Sequence, residues 1–289
     1  MKRTFEQKRK LTGLIFVGPW MVIGLAMLVY PFLFSFILSF SKLENNDFSH
    51  MAFVGLVNYK KAFFTDVKFI PYFWDTVSNT LINLPMIVIF SLILAILLSR
   101  NIKGQGFFRS VFFLPVLLGT GFVMNQLLGQ GVDSQSMEVA RGILMPKVVT
   151  DYLGPEITEV CAAFFSRITT VLWKSGVQIV ITLAGIQQIS PALYEAARVD
   201  GATEWEMFWK ITLPMITPVL LLTTVYTIVA STIEDSQVVN YIIANAFNGE
   251  HVQFEFSAAM GWVYFLFVLA LVGIVFAAMR PFIKRVAEV

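Results

Sequence analysis

The residues of this chain whose types and spacing could do chemistry are concentrated in a short polar segment between two long apolar stretches. Ser190-Pro191 is typical of a helix start, because a serine side chain can accept a backbone N–H at the N-cap and proline has its φ preset for the first helical position. Gly201 can adopt the left-handed conformation that ends a helix, and Thr203 with Glu206 has capping-box spacing. The pattern predicts two short helices around a tight turn, the second ending at Pro214. Such a rigid projection suits docking into a groove of another protein.

Residue patterns for covalent catalysis, nucleotide hydrolysis or metal binding do not accompany this segment. The chain lacks the G-x-x-x-x-G-K-[ST] phosphate-binding loop, so any ATP hydrolysis must occur on a separate subunit. Its single cysteine, Cys161, excludes internal disulfides and thiolate metal clusters, and His50 and His251 do not have metal-ligand spacing. We therefore expect a non-enzymatic chain that binds no metal, no cofactor and no nucleic acid.

The composition places the elements around this segment in a membrane. Hydrophobic residues make up 57% of the 289 residues and charged residues 14%, against about 25% charged in soluble proteins. Uncharged runs long enough for a span of roughly 20 helical residues predict six transmembrane helices. Their approximate bounds are 11–41, 76–99, 108–132, 157–188, 211–234 and 256–280. The chain, 1–289, is thus expected to be a single all-α membrane domain in which 189–213 forms a polar loop.

Lysine and arginine residues predict that both termini and the polar loop lie in the cytoplasm, where membrane proteins carry the excess of these residues. This orientation puts thirteen of them inside: Lys2, Arg3, Lys8, Arg9, Lys10, Arg100, Lys103, Arg109, Arg198, Lys210, Arg280, Lys284 and Arg285. It puts six outside: Lys42, Lys60, Lys61, Lys68, Arg141 and Lys147. The loop 189–213 is therefore expected on the cytoplasmic face.

The polar loop resembles a known motif. Glu195-Ala-Ala-x3-Gly201-x9-Ile211-x-Leu213-Pro214 is similar to the EAA loop of permease subunits in binding-protein-dependent ABC importers, and the flanks around Leu183 and Asp200 fit as well. In that family the loop carries a coupling helix that sits in a cleft of the cytoplasmic ATPase. The resemblance implies ATPase-coupling roles for Glu195, Ala196, Ala197, Asp200, Gly201, Ala202, Ile211, Leu213 and Pro214. Glu195 is expected to hydrogen-bond or ion-pair in the cleft.

Further fragments resemble carbohydrate permeases of the maltose and glycerol-phosphate type. Phe53-Val-Gly55-Leu-Val-Asn58-Tyr59, Phe108-Arg109-Ser-Val-Phe-Phe-Leu-Pro115 and Leu172-Trp173-Lys174 occur in the order and at the distances of that family. They are most similar to the subgroup that imports oligosaccharides. The resemblance implies the type I ABC importer permease fold in a bacterial or archaeal cytoplasmic membrane. The loop 129–155 is too short to form the folded domain that some maltose-type subunits carry there.

The same resemblance implies a set of partners. These are a second, different permease subunit, two cytoplasmic ATP-binding subunits that hold ATP and Mg²⁺, an extracytoplasmic solute-binding protein that delivers the oligosaccharide, and the lipid bilayer. Two alternatives stay open. One is an ABC permease for a non-sugar solute such as glycerol-phosphate, although a phosphate ester would call for several basic residues and the predicted spans contain two. The other is an ion-coupled secondary transporter, for which the inverted repeats of that class are not visible.

Polar residues inside the predicted spans indicate a path for the solute, since a charged residue at a helix centre costs roughly 2.5–3.5 kcal/mol. Arg167, Lys174 and Gln178 recur at i, i+7 and i+11, which places them on one face of the fourth helix. A second stripe on the fifth helix consists of Thr223 or Thr224, Thr227, Ser231 and Glu234. The two stripes are predicted to line a water-filled pathway.

Aromatic rings add to this predicted pathway. Trp173, Tyr226 and Trp262 present apolar faces on which sugar rings can stack. A different interpretation is that Arg167 snorkels to the outer surface and that the threonine and serine stripes serve helix packing. An ion pair between Lys174 and Glu234 would be one way to compensate for their burial.

Overall fold

The computed structural model describes residues 5–44, 47–99, 106, 154–233, 236–248 and 252–287. The predicted third span, 108–132, and Glu234 lie outside these residues. Within the described ranges the chain forms ten α-helices, three π-helical turns and one two-stranded sheet. The α-helices and strands are α1 (Phe5–Ser39), β1 (Ser41–Glu44), β2 (Asp47–Phe53), α2 (Val57–Lys60), α3 (Phe69–Ser99), α4 (Pro155–Lys174), α5 (Gly176–Gln187), α6 (Pro191–Val199), α7 (Glu204–Met207), α8 (Leu213–Ile233), α9 (Gln237–Ile243) and α10 (Phe254–Ala287).

Four helical segments of the described part are long and apolar enough to cross a membrane, and a bent helix pair would make a fifth. The four are Ile15–Ser39, Phe69–Ser99, Glu204–Ile233 and Phe254–Ile283, and the pair consists of α5 and α6. The span in α1 exposes large apolar side chains such as Phe16, Trp20 and Tyr30. A helix that is apolar all round without being buried in protein is suited to a lipid environment.

The helix bounds differ from those that the sequence predicted. α1 and α3 begin several residues earlier than 11 and 76, and α10 extends to Ala287 rather than 280. The predicted fourth helix, 157–188, is two helices, α4 and α5, which meet at Ser175. The Ser175 hydroxyl donates to the carbonyl of Leu172 at 3.1 Å, and the glycine that follows is a poor helix former. The polar stripe of Arg167, Lys174 and Gln178 therefore does not run along one continuous helix.

The first compact unit comprises Met1–Thr76 and Asp235–Phe267. It contains an antiparallel hairpin, β1–β2, in which Ser41 pairs with Phe53, so the expectation of an all-α chain missed one small sheet. The Asn58 amide joins the hairpin to α1, because it donates to the carbonyls of Ser39 at 3.0 Å and of Ser41 at 2.8 Å. A signal for the hairpin was present in the sequence, since Asn45-Asn46-Asp47 is a run of turn-forming residues.

Asp66 connects two further parts of this unit. One carboxylate oxygen accepts the backbone N–H groups of Lys68 and Phe69, at 2.9 and 2.6 Å, and so caps the start of α3. The other accepts the hydroxyl of Tyr241 in α9 at 2.7 Å. Burial, followed by this hydrogen bond, raises the pKa of Tyr241 to about 12. The tyrosine is therefore a neutral donor throughout the physiological pH range.

The second compact unit comprises Val77–Glu234 and Val268–Val289. Its buried apolar cluster draws on α3, α5, α8 and the link between α5 and α6: Ala95, Leu98, Ile179, Leu183, Ile186, Ile189, Ile216 and Leu220. α5 and α8 approach each other closely, because a Cβ added at Gly185 would lie 2.8 Å from both γ-carbons of Val219. This packing fixes the helices on either side of the polar loop.

Candidate functional site

The predicted docking loop forms α6 and α7, which we call the knuckle (residues 191–207). α6 leaves α5 at a bend of 63°. Ser190 occupies the N-cap with extended backbone and Pro191 the first helical position, but the predicted side-chain cap at Ser190 was wrong. The N–H of Leu193, which the serine side chain could have bonded, donates instead to the backbone carbonyl of Ser190 at 3.1 Å.

The end of α6 is a Schellman motif. Gly201 has a φ of +80°, the left-handed conformation that the sequence predicted. The N–H of Ala202 bonds the carbonyl of Ala197 at 2.9 Å, and the N–H of Gly201 bonds the carbonyl of Arg198 at 3.1 Å. These two bonds satisfy carbonyls that a helix end leaves free. The spacing from Glu195-Ala-Ala to Gly201 thus matches the backbone bonds that reverse the chain.

The start of α7 is the capping box that the sequence predicted. The Thr203 hydroxyl accepts the N–H of Glu206 at 3.3 Å, and the Glu206 carboxylate accepts the N–H of Thr203 at 3.0 Å. Both bonds are present, so the two N–H groups at this helix start have partners. Together with the Schellman motif, the capping box holds α6 and α7 in one defined turn.

The predicted end of the second helix at Pro214 was wrong. α7 continues through a π-helical turn, Phe208–Thr212, into α8, and Glu204–Ile233 forms one span of 30 residues. Proline lacks the N–H that an α-helix would donate to the carbonyl four residues earlier. A π-helical turn shifts the bonding pattern just before this position, which allows the helix to continue.

None of the nine residues of the predicted coupling motif is buried. Glu195, Ala196, Asp200 and Gly201 are exposed, and no residue of α6 is buried. The remaining motif residues are half-buried: Ala197, Ala202, Ile211, Leu213 and Pro214. Ion pairs join Arg198 to Glu204 at 3.3 Å and Lys210 to Glu206 at 3.7 Å. Because these pairs are exposed, they contribute little to stability.

One residue pair within this loop was not singled out from the sequence. The hydroxyl of Tyr194, in α6, lies 2.9 Å from the hydroxyl of Thr212, the residue directly before α8. Thr212 is 8% exposed and Met207 is 3% exposed, so the contact lies at the buried base of the knuckle. Eighteen residues separate the two hydroxyl groups, and no local spacing rule relates them.

Three of the residues predicted to line a solute pathway, Gln178, Thr223 and Thr227, take part in one set of hydrogen bonds, and their role in transport stays a prediction. Gln178 Nε2 donates to the hydroxyl of Thr227 at 3.2 Å, and the hydroxyls of Thr182 and Thr223 lie 3.4 Å apart. This polar ladder joins α5 to α8, and each of its four residues is at most 1% exposed. Gln178 Oε1 is buried and has no hydrogen-bond partner among the described residues. This oxygen is therefore available to accept a further hydrogen bond.

The other predicted pathway residues have different surroundings. Arg167 Nη2 donates to Asn79 Oδ1 at 3.4 Å. Trp262 packs against the rings of Phe32, Phe36 and Phe265, with centroids 4.7, 4.8 and 5.5 Å away. Trp173, Lys174 and Ser231 are half-buried, and Tyr226 is exposed. Glu234, the predicted ion-pair partner of Lys174, lies outside the described residues, so this pair stays a prediction.

No cluster of three or more histidine, cysteine or acidic residues that could hold a metal is present in the described ranges. The expected lack of a metal and of a cofactor stays a prediction. What this site offers instead is a capped, exposed projection connected to a membrane span.

Comparison with known proteins places this arrangement in a family. The family described as "Binding-protein-dependent transport system inner membrane component" matches residues 65–288 of the chain. The chain belongs to this family. It is thus a permease component, which is a transport subunit, and a multi-pass membrane protein. The membership also favours the importer over the ion-coupled alternative.

Relatives of this permease include transport proteins of known type. It is 27% identical over 289 residues to the probable ABC transporter permease protein YesP of Bacillus subtilis (strain 168), covering 93% of this chain and 89% of that one. It is 30% identical over 238 residues to the arabinooligosaccharides transport system permease protein AraP of the same organism, covering 80% and 71%. The lactose transport system permease protein LacF of Rhizobium radiobacter is 29% identical, over 78% and 72%.

The fold of the permease is also that of a solved transporter. A chain of a bacterial ABC transporter involved in the import of the acidic polysaccharide alginate aligns with a TM-score of 0.66. The alignment covers 95% of this chain and 96% of that chain at 20% sequence identity. The ABC importer permease fold that the sequence indicated is therefore confirmed, while the number of six spans and the cytoplasmic position of the termini stay predictions.

Proposed function

We propose that this permease translocates a sugar or oligosaccharide across the cytoplasmic membrane of a bacterium or archaeon in an ATP-driven importer. It pairs with a second, different permease subunit and with two cytoplasmic subunits that bind ATP and Mg²⁺. An extracytoplasmic solute-binding protein delivers the sugar. Support for a carbohydrate comes from relatives named as transporters of arabinooligosaccharides, lactose and multiple sugars.

The observation that carries the proposal is the knuckle. α6 is fully formed and has no buried residue, so most of its surface is free for a partner. Capping groups at the turn satisfy the backbone without help from another chain. A short, preorganised helix loses little conformational entropy on docking. In this proposal ATP-driven closure of the two ATPase subunits moves α6, and the spans alternate between outward- and inward-facing states.

The polar ladder supplies the proposed sugar contact within the membrane. Sugar hydroxyls are both donors and acceptors, and the unpartnered Gln178 Oε1 can accept a hydrogen bond from one of them. Thr223 and Thr227 are fully buried beside it. An aromatic ring such as Trp173 or Tyr226 would cover an apolar sugar face. Trp262 is the weakest candidate of the aromatic set, because other rings already cover it.

Co-purification tests the assembly. The permease is extracted from its native membrane in mild detergent, and the accompanying proteins are identified by mass spectrometry. We expect an ATPase with a phosphate-binding loop and a second permease. A permease that arrives without an ATPase, and that transports with an ion gradient and no ATP, contradicts the proposal.

Uptake by the reconstituted complex tests the solute class. Proteoliposomes containing the complex and its binding protein are offered maltotriose, arabinotriose, lactose, an alginate trisaccharide and glycerol-3-phosphate in parallel. We expect ATP-dependent uptake of at least one saccharide and none of glycerol-3-phosphate. Uptake of the phosphate ester alone would leave the importer intact and overturn its proposed substrate class.

Gln178→Leu tests the proposed sugar contact. The substitution keeps the approximate side-chain volume and removes both polar groups, so we expect KM for the transported saccharide to rise about fivefold with ATPase assembly unchanged. Gln188→Leu, at an exposed position near the knuckle, is the control. An unchanged KM in Gln178→Leu would assign the ladder to helix packing alone.

A further inference from the structure

We infer that the hydrogen bond between Tyr194 and Thr212 is the strut through which displacement of the knuckle reaches the α8 span. The inference rests on the proposed function, because it presupposes that an ATPase moves α6. It makes Tyr194 and Thr212 positioning residues: they touch neither the solute nor ATP, and they keep α6 and α8 moving as one body.

α6 is attached to the rest of the second compact unit through few of its side chains. Its residues are exposed apart from Tyr194 and Ala197, which are half-buried. The Tyr194 ring packs against the buried cluster formed by α3, α5 and α8. Its hydroxyl reaches beyond this packing to Thr212 at 2.9 Å. The tyrosine thus makes two kinds of contact. The apolar packing of its ring tolerates sliding, whereas the hydrogen bond of its hydroxyl weakens when its distance or angle changes.

The receiving hydroxyl is well placed for this role. Thr212 is the last residue of the π-helical turn and directly precedes α8. Its hydroxyl also lies 3.4 Å from the carbonyl of Met207, the last residue of α7. A hydroxyl has one proton, so Tyr194 donates to Thr212 when Thr212 donates to Met207. One buried oxygen then links α6, the end of α7 and the start of the span.

The covalent route between α6 and α8 is less direct. It passes through three joints, the Schellman turn, α7 and the π-helical turn. The caps define the first, but a force applied to α6 can be absorbed by bending at the other two. The ion pair of Arg198 with Glu204 stiffens the first joint only, and it is exposed. Closing the segment 194–212 with a partly buried hydrogen bond removes this freedom, because the two ends can no longer move apart independently.

Two substitutions remove the strut while keeping the packing. Tyr194→Phe retains the ring, and Thr212→Val retains the approximate volume of the threonine. Each is made in the complete transporter, reconstituted in proteoliposomes with its binding protein and the saccharide that the wild type takes up. The measured quantity is the number of ATP molecules hydrolysed per saccharide imported.

We expect each variant to raise this ratio about fivefold, the factor that corresponds to the loss of one typical hydrogen bond. The double variant is expected to match the single ones, because both remove the same contact. Thr212→Ser keeps a hydroxyl group, so its ratio of ATP hydrolysed to saccharide imported should stay at the wild-type value.

Thr217→Val is the matched control. Thr217 is also 8% exposed, but its hydroxyl bonds the carbonyl of Leu213 in its own helix, at 2.8 Å. Its ratio should stay at the wild-type value. An equal rise in Thr217→Val, or an unchanged ratio in the strut variants, overturns the inference.

Two other outcomes separate the strut from the function beneath it. Variants that lose the ATPase on purification, while the wild type keeps it, would make Tyr194 part of the docking surface and overturn the strut. A wild-type complex without an ATPase would overturn the proposed function itself, and the strut with it.

Discussion

Gly201 has a φ of +80°, and apart from the glycine and its two chain neighbours no heavy atom of the described residues lies within 4 Å of the position where a Cβ would be. The requirement for glycine here therefore comes from the backbone conformation and not from crowding within the chain. For other residues the left-handed conformation costs roughly 1–2 kcal/mol, and asparagine tolerates it better than β-branched residues do.

This backbone requirement predicts an order of effects at Gly201. We expect Gly201→Asn to retain most ATP-coupled uptake and Gly201→Val to lose it, because valine is strained in this conformation. Aspartate has nearly the shape of asparagine and adds a charge. A loss of uptake in Gly201→Asp that Gly201→Asn does not show would therefore indicate close approach of the ATPase. Uptake and the amount of co-purifying ATPase are measured for all three. Equal activity of the valine and asparagine variants would contradict the strain argument.

At the scale of the elements, the packing of α5 on α8 determines where both the knuckle and the polar ladder lie. A Cβ added at Gly185 would lie 2.8 Å from the γ-carbons of Val219, a distance that real Cβ atoms do not adopt. Small residues at such contacts allow membrane helices to approach closely. The same approach brings Gln178 to Thr227 and Thr182 to Thr223.

Gly185→Ala tests this packing. We expect the substitution to destabilise the permease by about 1–3 kcal/mol, because the added methyl group overlaps the γ-carbons of Val219. Thermal unfolding of the purified complex in detergent measures the change. Val219→Ala removes those carbons and should rescue Gly185→Ala in the double variant. A neutral Gly185→Ala, or a double variant less stable than both single variants, would show that the helices do not meet in this way.

For the whole molecule, the side of the membrane on which the knuckle lies is decisive, because a cytoplasmic ATPase can reach it only from the cytoplasm. The excess of lysine and arginine predicts this orientation. The chain offers a matched pair of positions to test it: Val67, before α3, is 86% exposed and Val199, at the end of α6, is 88% exposed.

Single cysteines are introduced at these two valines in a Cys161→Ser background. A membrane-impermeant thiol reagent applied to intact spheroplasts should label Val67→Cys at once and Val199→Cys only after permeabilisation. Because the two valines are almost equally exposed, a difference in labelling cannot come from burial of one of them within the chain. The reverse labelling pattern would invert the topology and exclude ATPase coupling through α6.

Much of the knuckle was predictable because its determinants are local. The left-handed Gly201, the capping box of Thr203 and Glu206 and the placement of Pro191 each depend on residues within a few positions of one another. Apolar length likewise determined that the chain is a helical membrane protein. These features follow from backbone bonding and burial in lipid, which the residue types and their spacing already specify.

Other features were decided by tertiary contacts between distant residues. The continuation of the helix past Pro214 and the break at Ser175 are not among them, because both have local causes, a π-helical turn and a hydroxyl-to-carbonyl bond, which the sequence prediction left out. The bond between Tyr194 and Thr212 and the ladder around Gln178 exist because α5, α6 and α8 pack together. A hydroxyl or an amide can bond many partners, and the sequence does not state which of them lies within hydrogen-bonding distance. That choice is made by the packing of the helices, since it sets which polar groups share a buried position and must satisfy one another.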